Sequence, residues 1–214
     1  MSGLQGLLVD YGGVLTTNVW DSFRAFCDAE GLEREKVKKL FREDPEALGL
    51  LRRLERGELD EDEFSAGFGP LLGIPSERHE GLIDRLFGGM EPEDAMFEAL
   101  RRARGAGLKT GLISNSWGRG RYDRDSFDEL FDGVVISGEV GLHKPQREIF
   151  ELGAERIGLD PTDCVFVDDL RENCEGAEAV GMTAVLHRDS ERTIERLEEL
   201  LEVSLRDGAS RPGA

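Results

Sequence analysis

Hydrophobic residues in this chain follow two alternating periodicities. Short β-branched or apolar runs occur at Leu7–Val9, Leu108–Ile113, Val134–Ile136, Val165–Val167 and Thr183–Leu186. Such runs suit strands buried on both faces of a parallel sheet. After the second run, helical spacing fills the intervals: Ile149, Phe150, Leu152 and Ile157 mark one helix, and Ile194, Leu197, Leu200 and Leu201 another. Alternation of strand and helix predicts right-handed βαβ units. The fold class is therefore α/β, a Rossmann-like parallel sheet with helices on both faces.

Between the first two strands the texture changes. Residues 18–91 hold no convincing strand, but they contain amphipathic groups at helical spacing: Phe23/Phe26/Cys27, Val37/Leu40/Phe41, Leu51/Leu54, Phe64/Phe68/Leu71 and Leu82/Ile83/Leu86. Turns rich in Gly, Asp or Pro separate them, and Ser76, after Pro75, is placed to cap a helix. The pattern predicts an α/β core domain from residues 1–17 and 92–206, with an inserted helical domain of residues 18–91. The tail, residues 207–214, lacks apolar anchors and is expected to be disordered.

Composition narrows the partners. At 214 residues the chain can bury one substantial core with a smaller satellite. A formal net charge of −18 argues against nucleic acid, which is bound by Lys and Arg clusters, and would repel anionic membranes. It leaves room for an anionic small substrate, because a local cation or metal reverses the field. No apolar segment is long enough to span a membrane and no charged-then-apolar leader precedes the first strand, so a cytoplasmic location is expected. Cys27, Cys164 and Cys174 show no metal spacing and read as small core residues. Three scattered histidines argue against a His-based zinc site.

Ligands of open α/β sheets bind beyond the carboxyl ends of the strands, so the residues that end each strand carry the chemistry. The first strand ends in Asp10, the second in Ser114 and Asn115, and the fourth in the pair Asp168 and Asp169. After the third, "GLHKP" presents Lys144 ahead of Pro145, a favoured first residue of a helix. A carboxylate nucleophile, a hydroxyl, a cation and an acid pair at one sheet edge suit metal-assisted phosphoryl transfer. Asp10 would attack phosphorus, Ser114 and Lys144 would hold phosphate oxygens, and the acids would offer Mg²⁺ the oxygen ligands it prefers.

This order of features resembles the haloacid dehalogenase (HAD) superfamily, dominated by aspartyl phosphatases. "LLVDYGGVL" is similar to its first motif, "LISNS" to its second, the Lys of "GLHKP" to its third and "VFVDDLRENCEGAEAVGM" to its fourth. The likeness covers roughly residues 4 to 202 and looks closest to the capped phosphatases that include the phosphatase domain of soluble epoxide hydrolases. It implies that the insertion is a helical cap and that a β-hairpin flap leads into it. It also implies an aspartyl-phosphate on Asp10 and a Mg²⁺ cofactor held by Asp10, the backbone carbonyl of Gly12 and Asp169, with Asp168 supporting the metal indirectly. Phosphate would be bound by Ser114, the backbone at Asn115, and Lys144, and the partner would be a small phosphorylated metabolite.

One departure stands out. Most HAD phosphatases carry a second Asp two residues after the nucleophile, which protonates the leaving oxygen and later activates water. Here that residue is Gly12, so general acid–base catalysis, worth about 10² to 10⁴ in rate, has lost its usual side chain. Three readings follow in order: a Mg²⁺-dependent phosphatase, a weak or inactive module that binds a phosphorylated ligand or protein partner, and a haloacid dehalogenase. Against the last, the fourth motif keeps "DD" where dehalogenases tend to carry Ser, and Tyr11 stands one residue, not two, after Asp10. His143 is a candidate replacement proton carrier. Trp20, Arg42, Arg119, Arg121 and Arg124 are candidate substrate contacts, each weighed against a plain packing or solvated role.

Overall fold

The computed structural model describes residues 3–116, 122 and 124–206. The expected disordered tail, and Arg119 and Arg121, lie outside the described residues. Five parallel strands, β1 (Gly6–Val9), β2 (Lys109–Ser114), β3 (Gly133–Ile136), β4 (Cys164–Asp168) and β5 (Thr183–Leu186), form one sheet in the order β3-β2-β1-β4-β5. All four pairings are parallel, with Val9 level with Leu112 on one side and Val167 on the other. The chain builds outward from β1 to β3, then returns to lay β4 on β1's other edge. The crevice at which strand order reverses therefore lies between β1 and β4, and the strands ending in Asp10 and Asp168 flank it.

Period-two alternation splits the core into two layers. Leu7, Val9, Val165 and Val167 pack against α6 (Asp94–Gly105) and α11 (Ser190–Leu201) through Met96, Leu100, Ile194 and Leu197. Leu8 and Phe166 face the opposite way, onto Ile149 and Phe150 of α9 (Arg147–Arg156) and Ala177 of α10 (Arg171–Glu178). Cys27, Cys164 and Cys174 are free and buried. No helix among the described residues is long and apolar enough to cross a membrane.

Five helices lie between β1 and α6: α1 (Val19–Glu30), α2 (Lys36–Glu43), α3 (Pro45–Glu55), α4 (Glu61–Leu72) and α5 (Leu82–Phe87). They enclose an aromatic core of their own in which Phe41 stacks on Phe68 at 4.8 Å. Local chemistry fixes their starts. Asp44 caps α3 with Pro45 as its first residue, and Asp60 and Glu63 form a capping box on α4. The expected cap at Ser76 is not formed; Ser76–Arg78 make a short 3₁₀ turn without a side-chain cap.

The insertion meets the core in two places. At the linkers, Thr17 N donates to Glu91 O (2.8 Å), Glu91 N to Thr17 Oγ1 (3.0 Å) and Glu93 N to Leu15 O (2.9 Å). Thr16 and Pro92 form an isolated antiparallel bridge. Residues 11–15 make a tight helical turn closed by Leu15 N on Tyr11 O, and the outgoing linker then pairs antiparallel with the returning one around the insertion. The second contact joins the end of α3 to α8 (Ser137–Val140). Ser137 Oγ donates to the Glu55 carbonyl and accepts from Ser116 N. A Cβ at Gly57 would lie 2.6 Å from Gly138 O.

Candidate active site

Asp10 leaves β1 as a buried side chain, 8% exposed, and its Oδ1 accepts from Tyr11 N (2.7 Å) and from Lys144 Nζ (2.8 Å). With one oxygen held, the other faces the crevice without a hydrogen-bond partner among the described residues. Lys144, 3% exposed, bridges Asp10 and Asp168, whose Oδ2 lies 2.7 Å from Nζ. Asn115 clamps the loop that carries it: Lys144 N donates to Asn115 Oδ1 (2.9 Å), and Asn115 Nδ2 donates to Lys144 O (3.2 Å). Pro145 does not begin a helix as expected. It follows a cis Lys144–Pro145 peptide, and α9 starts two residues later.

Asp168 is fully buried, and its carboxylate accepts from Lys144, from Asn173 Nδ2 (3.0 and 3.1 Å) and from Leu170 N (2.8 Å). Those bonds leave it best suited to orienting Lys144. Carboxylate oxygens of Asp10, Asp168 and Asp169 all lie within 4.8 Å of one another. Burial lifts the Asp10 carboxyl to about 7 against the pull of Lys144, with Asp168 and Asp169 adding to the rise. Asp169 is pushed to about 6 by burial and by Asp168. Burial disfavours the Lys144 ammonium, but Asp10 and Asp168 outweigh it and hold the proton. Three acids crowd one cation, so the cluster has spare negative charge and hard oxygen donors. That donor chemistry fits Mg²⁺, with Asp10, Asp169 and the carbonyl of Gly12 as the residues that would hold it.

Gly13 shapes this cradle. Its φ of +78° is in the left-handed region, and an added Cβ would sit 2.8 Å from the Asp169 carboxylate. We expect Gly13→Ala to push Asp169 aside at a backbone cost of about 1–2 kcal/mol. Mg²⁺ affinity measured by titration calorimetry would fall by roughly 10- to 100-fold, the usual cost of disturbing the groups that orient a metal ligand. Unchanged affinity would separate Asp169 from the metal.

Ser114 lies at the end of β2 with its hydroxyl 3.0 Å from that of Tyr122, whose phenol burial raises beyond the ordinary range. Tyr122 also packs edge-on to Tyr11. A cleft of about 650 Å³ separates the insertion from the core. Asp10, Gly12, Asn115, Lys144 and Asp169 line its floor; Trp20, Phe41, Arg42, Leu51 and Glu55 line its roof. Trp20 packs on Phe23 and carries the Arg42 guanidinium 5.7 Å from its ring centre, so both candidate contacts reach the cleft. His143 lines it too, but its Nδ1 is engaged by Lys144 O at 2.9 Å. Arg124 pairs with Glu139 away from the acids.

Asn173, Tyr122 and Glu55 are the contributors that sequence reasoning missed. Asn173 had a signal, since it falls on the first turn of the helix after the acid pair, within reach of Asp168. Tyr122 and Glu55 had none, because loop and helix chemistry alone do not say which element closes over the sheet edge.

Known proteins place this arrangement in context. A family model described as haloacid dehalogenase-like hydrolase matches residues 4–181. A sesquiterpene phosphatase of Aspergillus oryzae is 29% identical over 153 residues, 70% of this chain and 78% of that protein. The bifunctional epoxide hydrolase 2 of Sus scrofa is 27% identical over 117 residues, 51% of this chain and 21% of that protein, so the chain spans about a fifth of that relative. Among solved structures, a HAD family enzyme from Bacteroides thetaiotaomicron in complex with magnesium and inorganic phosphate has the same fold. Its TM-score is 0.65 at 22% identity, covering 87% of this chain and 95% of that one. With the motif residues gathered at the β1/β4 crevice and the family model spanning most of its length, this chain belongs to the haloacid dehalogenase-like hydrolases.

Proposed function

We propose that this protein is a Mg²⁺-dependent phosphatase that hydrolyses a small phosphorylated metabolite through an aspartyl-phosphate on Asp10. The observation that carries the reading is the buried Asp10–Lys144 pair set within the three-acid cluster at the strand-order reversal. Asp10's free oxygen would attack phosphorus while Lys144, Ser114 and the backbone at Asn115 hold the phosphate oxygens. Asp168 and Asn173 fix the ammonium of Lys144, so its position is set before substrate arrives. Mg²⁺, when bound, would supply the positive charge that lets a carboxylate approach an anionic phosphate.

Helices α1–α5 act in this reading as a cap that covers the cleft and excludes water. The apolar residues of its roof, Trp20, Phe41 and Leu51, together with Leu170, 38% exposed beside Asp169, would seat the carbon skeleton of the substrate. The Aspergillus relative is a sesquiterpene phosphatase, which agrees with such a seat. Phosphate release from an activated aryl phosphate ester tests the reading. Turnover with Mg²⁺ that a chelator abolishes is the expected result; equal turnover with and without metal would sink the metal-dependent mechanism. Gly12 alone favours a second reading, a module that binds a phosphorylated ligand without turning it over.

A further inference from the structure

We propose that Glu55 is the proton donor and acceptor of this site, doing from the inserted helices what a side chain at residue 12 cannot. The assignment rests on the phosphatase reading and deepens it. Glu55 is the last residue of α3 and lines the same cleft as Asp10, Gly12, Asn115 and Lys144. That places it on the inserted-helix side of the cleft, across from Asp10 and Lys144 on the floor.

Its placement is built into the fold. The Glu55 carbonyl is clasped by Ser137 Oγ, which is itself held by Ser116 N, two residues beyond the phosphate-binding Ser114. Two residues later, Gly57 lies so close to Gly138 O that no side chain fits between them. The core thus holds the backbone at the residue's own carbonyl and again just beyond it. The carboxylate itself is half-buried and has no hydrogen-bond or ion-pair partner among the described residues, although Arg56 beside it pairs with Glu58.

The groups facing Glu55 are mixed in sign. Burial lifts its carboxyl to about 7, opposed by Lys144 of the core and Arg52 of α3, assisted by Glu172 of α10 and opposed again by Arg56. A carboxyl poised there can be protonated for one step and ionised for the next at neutral pH. Other candidates serve less well: the His143 ring is held through Nδ1 by Lys144 O, and Glu172 is exposed.

The steps balance. As Asp10 Oδ forms its bond to phosphorus, the bond from phosphorus to the leaving oxygen breaks, and that oxygen takes the Glu55 proton. The Glu55 carboxylate then removes a proton from water as the water oxygen bonds to phosphorus. The bond between Asp10 and phosphorus breaks, releasing inorganic phosphate and restoring the Glu55 carboxyl.

Glu55→Gln keeps shape and removes the proton, and it separates the two steps. With Mg²⁺ and an alkyl phosphate, kcat should fall by about 10²-fold or more, the usual scale of general acid–base catalysis. With an activated aryl phosphate, whose leaving group needs no proton, the first step should persist while dephosphorylation slows. One equivalent of aryl alcohol would then appear as a burst, and intact mass would show phosphate retained on the protein. A structural role would lower turnover of both esters alike with no burst, and that result, or unchanged turnover of both, would overturn the assignment. If the unsubstituted protein turned over neither ester, the phosphatase reading would fall first and the assignment with it.

Discussion

Asp10→Asn is expected to abolish phosphate release, by roughly 10³-fold or more as for the loss of other enzyme nucleophiles, while leaving the protein folded. An amide at this position keeps the volume and can still accept from Tyr11 N, but it cannot form the aspartyl-phosphate. The cost to the fold is small for a stated reason. Burial already opposes the Asp10 charge enough to lift its carboxyl to about 7, so a neutral isostere removes a group the interior disfavours. Lys144 keeps Asp168 as a partner at 2.7 Å. Thermal unfolding in chelator should show a midpoint equal to or slightly above that of the parent, the usual direction when a catalytic charge is removed from a strained site. Metal-dependent turnover surviving in Asp10→Asn would show that Asp10 is not the nucleophile.

Lys144→Met should damage stability as much as activity. The ammonium is the cation facing both Asp10 and Asp168 at ion-pair distance, and removing one partner of a buried ion pair costs about 3–5 kcal/mol. For a chain of this size that is a fall in Tm of roughly 6–20 °C. The loss should depend on pH in a fixed sense. Asp10's carboxyl is already raised above its ordinary value, and without the pull of Lys144 it rises further. A group with a raised folded-state pKa supports folding most below its unfolded value and loses that support as pH climbs through the folded value. Lys144→Met in chelator should therefore come closest to the parent near pH 4 and fall furthest behind above pH 7. Denaturant melts at the two ends of that range check this. A deficit that is flat with pH would mean that Lys144 acts through packing, for instance its 5.4 Å approach to the Phe166 ring.

The sheet and most of the floor of the site were legible because strand ends are punctuated in the sequence. Each of the five runs gave a strand within about a residue of its expected bounds, and the acids that stopped the first and fourth runs, Asp10 and Asp168, flank the crevice. Parallel pairing then gathers Asp10, Ser114 and Asp168 at one edge without any further information. What local pattern could not supply was the roof. Glu55 reads as one more acid in "LERGELDEDEF", and its clasp is Ser137, 82 residues onward. The partner of the outgoing linker is remote for a related reason: it is the returning linker at Pro92, 76 positions away by subtraction from Thr16. Pro145 misled through a local preference for the first helical turn that the Asn115 clamp on Lys144 overrides.

The paired linkers carry a consequence for how this molecule can be rebuilt. Thr17 and Glu91 sit one hydrogen bond apart, so everything between them leaves and re-enters the core through a single doorway. Segments whose ends meet in this way can be exchanged without stretching the host chain. The roof is thus a cartridge. Swapping it, or replacing it with a short turn, would leave Asp10, Lys144 and the three-acid cluster where they are, and would change the proton carrier and the seat of the leaving group in one stroke. Chimeras made at these two residues would reassign what the site accepts while keeping how it attacks.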